Sequence, residues 1–378
     1  MNRKLGLYIH IPFCRSKCNY CDFYSLPGAE SLYGRYEEAL RAHIREAGQF
    51  LEDFDVDTVY FGGGTPSCFG EKRLTAVLTE IGKRFYLDSD CEITLEANPE
   101  SVDAKSMQRL RRAGFNRVSL GVQSSDNQML RVLGRPHTWE RAKRAAAACR
   151  EAGIKNLSVD IIYGLPGQTM KNWQQTLEDV MQLGTEHISC YGLKIEEGTP
   201  FGQRKNELDL PDDDAQADMY LYAARELTES GYSHYEISNF AKKGYISRHN
   251  MKYWTLGEYL GFGPSAHSDL NGQRFACIRD LRKYIDNINN GESVITDAET
   301  IPPRVRVSEY IMLGLRTQKG ISSTELEKKY GEDFEKFRPY VKRLVSGGFA
   351  REFEDRVHLT ARGFLISNTI ISDMLAYM

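Results

Sequence analysis

Three cysteines fall within eight residues, in the run Cys14-Arg15-Ser16-Lys17-Cys18-Asn19-Tyr20-Cys21. The spacing is Cys-x3-Cys-x2-Cys, and three thiolates this close can grip one metal centre from a single loop. A closed zinc or iron–sulfur site usually takes four protein ligands, and this run supplies three. A [4Fe–4S] cluster held here would keep one iron open to a ligand that is not protein. The other reading is a zinc loop completed by a distant group, such as His10 or a later cysteine. Zinc ligands usually come as close pairs separated by a longer gap, and three in one loop with no second pair is an unusual pattern for zinc.

Further along stands Tyr60-Phe61-Gly62-Gly63-Gly64-Thr65-Pro66. Successive glycines let a backbone approach a ligand and offer its N–H and C=O groups, although a tight turn needs glycine as well. Glu96, Gln123 and Asp160 each stand at or near the end of an apolar run. Taken together they suggest one ligand site rather than separate helix caps.

Elements must bring these groups together. Six short runs rich in β-branched residues read as strands buried on both faces of a parallel sheet: Leu5–Ile11, Val56–Phe61, Cys91–Ala97, Arg117–Val122, Leu157–Tyr163 and His187–Ile195. Helical patterns lie between them, at 32–51, 72–85, 103–113, 128–133, 138–152 and 171–183, and a seventh follows at 212–230. Gly114, Gly153 and Gly231 stand where helices should stop. The expected fold class is α/β, an incomplete (β/α)6 barrel over 1–235 with its chemistry at the C-terminal strand ends. Residues 236–300 read as an irregular connecting region. Ile301-Pro302-Pro303 opens a mainly helical, winged-helix-like tail over 301–378, with a capping box at Ser322-Ser323-Thr324-Glu325.

Composition removes several function classes. The 378 residues carry a net charge of −3, with no global basic signal for nucleic acid or an anionic membrane. The tail, with 13 basic against 10 acidic residues, is too weakly charged to indicate DNA binding. No apolar run reaches the ~20 residues of a membrane helix, and no signal peptide is expected. A cytoplasmic location follows as an expectation. Cys68, Cys91, Cys149, Cys190 and Cys277 are scattered and read as small buried hydrophobes.

The cysteine triplet followed by Gly-Gly-Gly-Thr-Pro resembles the radical S-adenosylmethionine (SAM) superfamily. Tyr8-Ile9-His10-Ile11-Pro12-Phe13-Cys14, Glu96-Ala97-Asn98-Pro99, Ser119-Leu120-Gly121-Val122-Gln123 and Asp160-Ile161-Ile162-Tyr163-Gly164-Leu165-Pro166 narrow the resemblance. They point to the oxygen-independent coproporphyrinogen III oxidase group and, within it, to its heme-chaperone branch. The resemblance implies that Cys14, Cys18 and Cys21 bind a [4Fe–4S] cluster whose open iron chelates SAM. It implies SAM contacts at Tyr8, Tyr20, Gly63, Gly64, Thr65, Glu96, Gln123, Arg135 and Asp160. Gly63 to Thr65 would meet the amino end, Glu96 and Asp160 the hydroxyls, and Arg135 the carboxylate or a nearby anion. An electron donor for the cluster is implied as a partner.

Two departures argue against the oxidase reaction. Phe23 stands where the oxidase pattern has a fourth cysteine, and only 13 residues precede Cys14, whereas the oxidase carries a longer N-terminal extension. The run His249-Asn250-Met251-Lys252-Tyr253-Trp254 has the H-N-x-x-Y-W form associated with heme binding in the chaperone branch. Imidazole ligates heme iron well, and Tyr253 and Trp254 follow one helical turn on, where their rings could stack on a macrocycle. A packed aromatic corner is the plainer reading of the same residues. His267, in Gly261-Phe262-Gly263-Pro264-Ser265-Ala266-His267-Ser268, is an alternative ligand. The expected function is a heme chaperone that passes heme to an acceptor protein, and the alternative is the oxidase itself.

Overall fold

The structure is a computed structural model and describes residues 2–378. The six apolar runs form β1 (Arg3–Ile11), β2 (Phe54–Gly63), β3 (Tyr86–Ala97), β4 (Arg117–Gln123), β5 (Asn156–Tyr163) and β6 (His187–Gly192). They lie side by side in chain order, each parallel to the next. The crossover helices are α1 (Tyr33–Ala47), α2 (Glu71–Arg84), α3 (Ala104–Ala113), α4 (Asn127–Val132), α5 (Trp139–Glu151) and α6 (Met170–Gln182), with α7 (Asp213–Glu229) after β6. Helix starts are closed by side chains: Asp103 accepts from the Ser106 N–H, and Thr138 from that of Arg141. Gly114, Gly153 and Gly231 end their helices at positive φ, the backbone region where a side chain is costly.

Side chains alternate across each strand, and the alternation divides the chemistry. On β1, Leu5, Leu7, Ile9 and Ile11 are wholly buried in one core with helix residues such as Leu40, Leu74 and Ile81. Each such burial stabilises by roughly 1.5–3 kcal/mol. The intervening Gly6, Tyr8 and His10 lie on the opposite face, where Gly6 approaches Thr58 and His249. That inner face is polar on β3, β4 and β5 as well.

Residues 236–300 correct the expectation of an irregular connector. β7 (Ser233–Glu236) and β8 (Asn239–Ala241) form a hairpin that adds antiparallel to β6. β9 (Tyr259–Phe262) pairs parallel with the outer edge of β1, and β10 (His267–Leu270), β11 (Gln273–Cys277) and β12 (Ile295–Thr300) continue antiparallel. The result is one twelve-stranded sheet with β12 and β7 at its edges. These strands are short and mixed in polarity, so they carry no clear period. α8 (Arg248–Trp254) and α9 (Leu281–Asn290) complete the region.

The tail builds a second core from α10 (Pro303–Gly314), α11 (Ser323–Tyr330), α12 (Arg338–Ser346), α13 (Ala361–Leu365) and α14 (Ser367–Leu375). A small sheet of β13 (Ile321–Ser322), β14 (Ala350–Phe353) and β15 (Arg356–Leu359) forms its wing. Ser322 accepts from the Glu325 N–H at the start of α11. A charge network joins the tail to the sheet: Arg306 and Arg274 both pair with Asp269, and Arg274 reaches Glu309 at 2.8 Å.

Candidate functional site

The cysteine loop leaves the C-terminal end of β1. A short parallel ribbon, Phe13–Cys14 with Leu26–Pro27, pins its two ends. Its middle docks on the end of α4, where Asn19 donates from Nδ2 to the Val132 carbonyl at 2.8 Å and from its N–H to Leu133 at 3.0 Å. Cys18 is buried and Cys14 and Cys21 are partly exposed.

One polar chain ties two of the thiols to three strand ends. Cys14 Sγ lies 3.3 Å from Thr65 Oγ1, and Asn98 Nδ2 donates to the same oxygen at 3.0 Å. Arg135 Nη2 donates to Asn98 Oδ1 at 2.6 Å and to the Gly121 carbonyl at 2.8 Å. Its Nη1 points at Cys18 Sγ, 3.3 Å away. Arg135, expected at the SAM carboxylate or a nearby anion, here braces the loop beside the Cys18 sulfur, with Asn98 as its partner.

Burial pushes the Cys14 thiol up and that of Cys21 up to about 11, so both sit protonated at neutral pH and would release protons on taking a metal. Among the described residues, no three His, Cys, Asp or Glu side chains are placed to hold a single ion. One zinc needs its sulfurs about 2.3 Å from one point, whereas a cluster takes each thiolate on a separate iron. Three thiols on one braced loop, one under a guanidinium, fit the cluster.

The glycine triplet serves packing. A Cβ on Gly63, at φ 111°, would lie 2.5 Å from the His10 ring, and one on Gly64 would lie 2.7 Å from the Phe13 carbonyl oxygen. The missing side chains let β2 close on β1 and the cysteine loop. The Gly63 N–H donates to Glu96 Oε2 at 3.2 Å, and the Tyr60 hydroxyl to Glu96 Oε1 at 2.7 Å. Burial pushes the Glu96 carboxyl up to about 7, and Asp160 adds to the effect. Burial also raises Asp160, against the opposing hydrogen bond of Ser189 and charge of Arg117. Ser119 Oγ donates to both Asp160 oxygens at 3.1 and 3.2 Å. Tyr8 Oη lies 3.0 Å from His10 Nδ1, and Tyr20 packs with Met129, Leu133 and Phe201. Gln123 ends β4 at φ 67°, a strained position for a residue with a side chain.

Several buried polar atoms on the inner face have no protein partner: Thr94 Oγ1, Arg117 Nε and Nη1, Gln123 Oε1, Glu236 Oε2 and Asn239 Oδ1. Buried polar groups are ordinarily bonded, so this lumen suits a polar ligand or ordered water. SAM, rich in polar groups, fits it. The sequence reading gave no role to Arg117, Asn98 or Ser119, although Asn98 and Ser119 stand in the motifs that carry the resemblance. The signal for Arg117 and Ser119 was period two, since Arg117, Ser119, Gly121 and Gln123 alternate along β4.

The residues of the heme motif pack as an aromatic corner in this conformation. His249 is wholly buried. Its Nδ1 lies 2.9 Å from Thr58 Oγ1 and its Nε2 2.8 Å from the Tyr253 hydroxyl. The ring stacks on Tyr60 at 5.1 Å, and burial lowers its pKa to about 3. Glu92 accepts the backbone N–H groups of Arg248 and His249, both at 3.1 Å, which seats α8 beneath β3. In this conformation His249 offers iron no free nitrogen, and Tyr253 is spent on the same bond. Trp254 is half-buried, and His267 is exposed on β10. Of the scattered cysteines, Cys91, Cys149, Cys190 and Cys277 are buried and Cys68 is half-buried.

Comparison with known proteins gives a consistent picture. Residues 8–180 match the model of the Radical SAM superfamily, and residues 301–366 that of the HemN C-terminal domain. The chain is 35% identical over 377 residues to the heme chaperone HemW of Bacillus subtilis, spanning 97% of this chain and 98% of that protein. It is 33% identical over 375 residues to the heme chaperone HemW of Escherichia coli, spanning 98% of each. Among solved structures, coproporphyrinogen III oxidase (HemN) from Escherichia coli, a radical SAM enzyme, superposes with a TM-score of 0.86 at 23% identity. The match covers 100% of this chain and 91% of that one, and it speaks for the fold.

Proposed function

The chain belongs to the heme chaperone HemW family of radical SAM proteins, and on that footing we propose that it binds heme and hands it to an acceptor protein. Cys14, Cys18 and Cys21 hold a [4Fe–4S] cluster beside SAM, and an external electron donor serves that cluster. The bound groups supply one-electron chemistry. The observation that carries the cluster assignment is the chain Cys14–Thr65–Asn98–Arg135–Cys18, which fixes two thiols before any iron arrives. Tyr8, Glu96, Gln123 and Asp160 line the SAM side of the lumen, with Gly63, Gly64 and Thr65 at its rim. Arg135 and Tyr20 act mainly on the loop. A cytoplasmic location is part of the proposal, and no helix is long and apolar enough to cross a membrane among the described residues.

His249, Tyr253 and Trp254 are the residues to test for heme. Ligation by His249 requires its ring to give up one partner, either Thr58 at Nδ1 or Tyr253 at Nε2. The experiment is hemin titration of anaerobically reconstituted protein, wild type beside His249→Ala. One heme per wild-type chain, with an altered Soret band in the variant, supports the proposal with His249 as ligand. Equal spectra remove His249, and no binding by either protein removes the chaperone reading. The rival oxidase reading is tested with coproporphyrinogen III, SAM and a reductant, where decarboxylation above controls would reverse the ranking.

A further inference from the structure

A cavity of about 560 Å³ lies between α7, the β7 edge of the twelve-stranded sheet and the wing of the tail, within the ~300–1,000 Å³ of ordinary ligand pockets. The cysteine loop, the SAM lumen and the His249 motif lie outside its lining. Leu221 and Ala224 of α7 and Leu359 and Phe364 of the tail give it apolar walls. Two imidazoles enter it. His234 is held by its neighbours: its ring stacks on Phe240 at 4.1 Å, and its Nε2 lies 3.3 Å from the Tyr220 hydroxyl and 3.4 Å from the Ile237 carbonyl oxygen. His358, half-buried on β15, has neither nitrogen hydrogen-bonded among the described residues. Burial lowers its pKa, and the Arg351 charge adds to the effect, so the ring is neutral at pH 7 and keeps a lone pair for a metal. Arg351 stands directly opposite on β14, which puts both side chains on one face of the ribbon. It is exposed and joins no ion pair among the described residues. Arg225 also lines the cavity, paired with Glu226 at 2.8 Å, and Glu229 is the one acid among the described residues of the lining.

We propose that this cavity is a heme site, with the His358 imidazole as the axial ligand and Arg351 and Arg225 as partners of the two propionates. The inference rests on heme binding as proposed above and gives it a place away from His249, both of whose nitrogens are occupied. A heme is flat and apolar on both faces, carries two carboxylates on one edge and needs a donor at its centre. The walls, the cations and the free imidazole of the cavity match those three demands. Imidazole is a common axial ligand, and guanidinium–carboxylate pairs are among the stronger hydrogen bonds. Ligation forms one Fe–N bond from the neutral ring and displaces no proton from it. His234 and Phe364, edge to face at 5.2 Å, make a wall against which a macrocycle packs. Both arginines are exposed at the rim, so the cargo enters and leaves without opening a core, as transfer to an acceptor requires.

The test is hemin titration of the full-length, anaerobically reconstituted protein, read by the Soret band and by affinity, beside iron-free protoporphyrin IX. His358→Ala should shift the Soret band and weaken hemin about tenfold, and leave the iron-free porphyrin within about twofold. Added imidazole should restore the wild-type band in that variant, which a merely structural role for His358 would not allow. Arg351→Glu should weaken both porphyrins about tenfold. Arg351 is exposed, so this variant carries the test even where His358→Ala fails to fold. Hemin binding should survive in His249→Ala. No hemin binding by the wild type removes the heme reading itself. Hemin binding that neither His358→Ala nor Arg351→Glu alters overturns the cavity assignment and leaves the heme reading standing. So does loss of hemin in His249→Ala alone.

Discussion

Arg135→Met is the sharpest probe of how the site is built. The wild-type guanidinium makes two short bonds, to Asn98 Oδ1 and the Gly121 carbonyl, and reaches the Cys18 sulfur at 3.3 Å. Methionine fills much of the volume and donates nothing. Two acceptors then lose a charged donor, and each buried acceptor left unpaired costs about 1–3 kcal/mol. Against this stands relief of the desolvation of a buried cation, so the net loss is about 3 kcal/mol. The loss should be local, since the brace joins the loop to β3 and β4 without entering the apolar core. Urea unfolding of the metal-free protein should show it, and hydrogen exchange should speed up at residues 14–24 before elsewhere. Iron content after reconstitution should fall as well. A change below about 1 kcal/mol with full iron loading would refute the bracing role and return Arg135 to ligand contact alone.

Other perturbations follow from the same geometry. Gly63→Ala places a methyl against the His10 ring at a φ of 111°, and should lower stability by about 3 kcal/mol or more in a denaturant titration. Thr58→Val keeps the shape but strands His249 Nδ1, and should cost about 1–3 kcal/mol by the same method. Glu236 is wholly buried, and burial raises its carboxyl from 4.5 to about 7. The folded state therefore holds this proton more tightly than the unfolded chain, so its contribution is full below pH 4.5 and is lost as pH rises to about 7. That shift is worth about 3 kcal/mol, and Glu236→Gln should remove this component from a stability-versus-pH series. An identical pH slope in the variant would show that Glu236 does not titrate in this range.

The parallel half of the sheet was legible because strands buried on both faces leave an apolar signature in the chain itself. β1 to β6 begin and end within a few residues of the runs read for them, apart from the longer start of β3 at Tyr86 and the earlier end of β6 at Gly192. The antiparallel edges were not legible. β7 to β12 are three to six residues long, and they join the sheet through two remote pairings, β8 on β6 and β9 on β1, so their place depends on partners rather than on local pattern.

The site divides in the same way. Local spacing determined the three-thiol loop, because Cys14, Cys18 and Cys21 share one short segment whatever the rest of the chain does. Tertiary structure decided what those thiols touch. Asn98, Gly121 and Arg135 meet at Cys18 only because β3, β4 and the α4 turn end at the same level. It also decided that Gly63 and Gly64 make room for His10 and Phe13, and that His249 lies in the barrel floor with both nitrogens occupied. A residue's type limits the chemistry it can do and its spacing limits its near neighbours. Burial and distant partners set whether an imidazole is free or a guanidinium is already engaged, and those are fixed only when the sheet assembles.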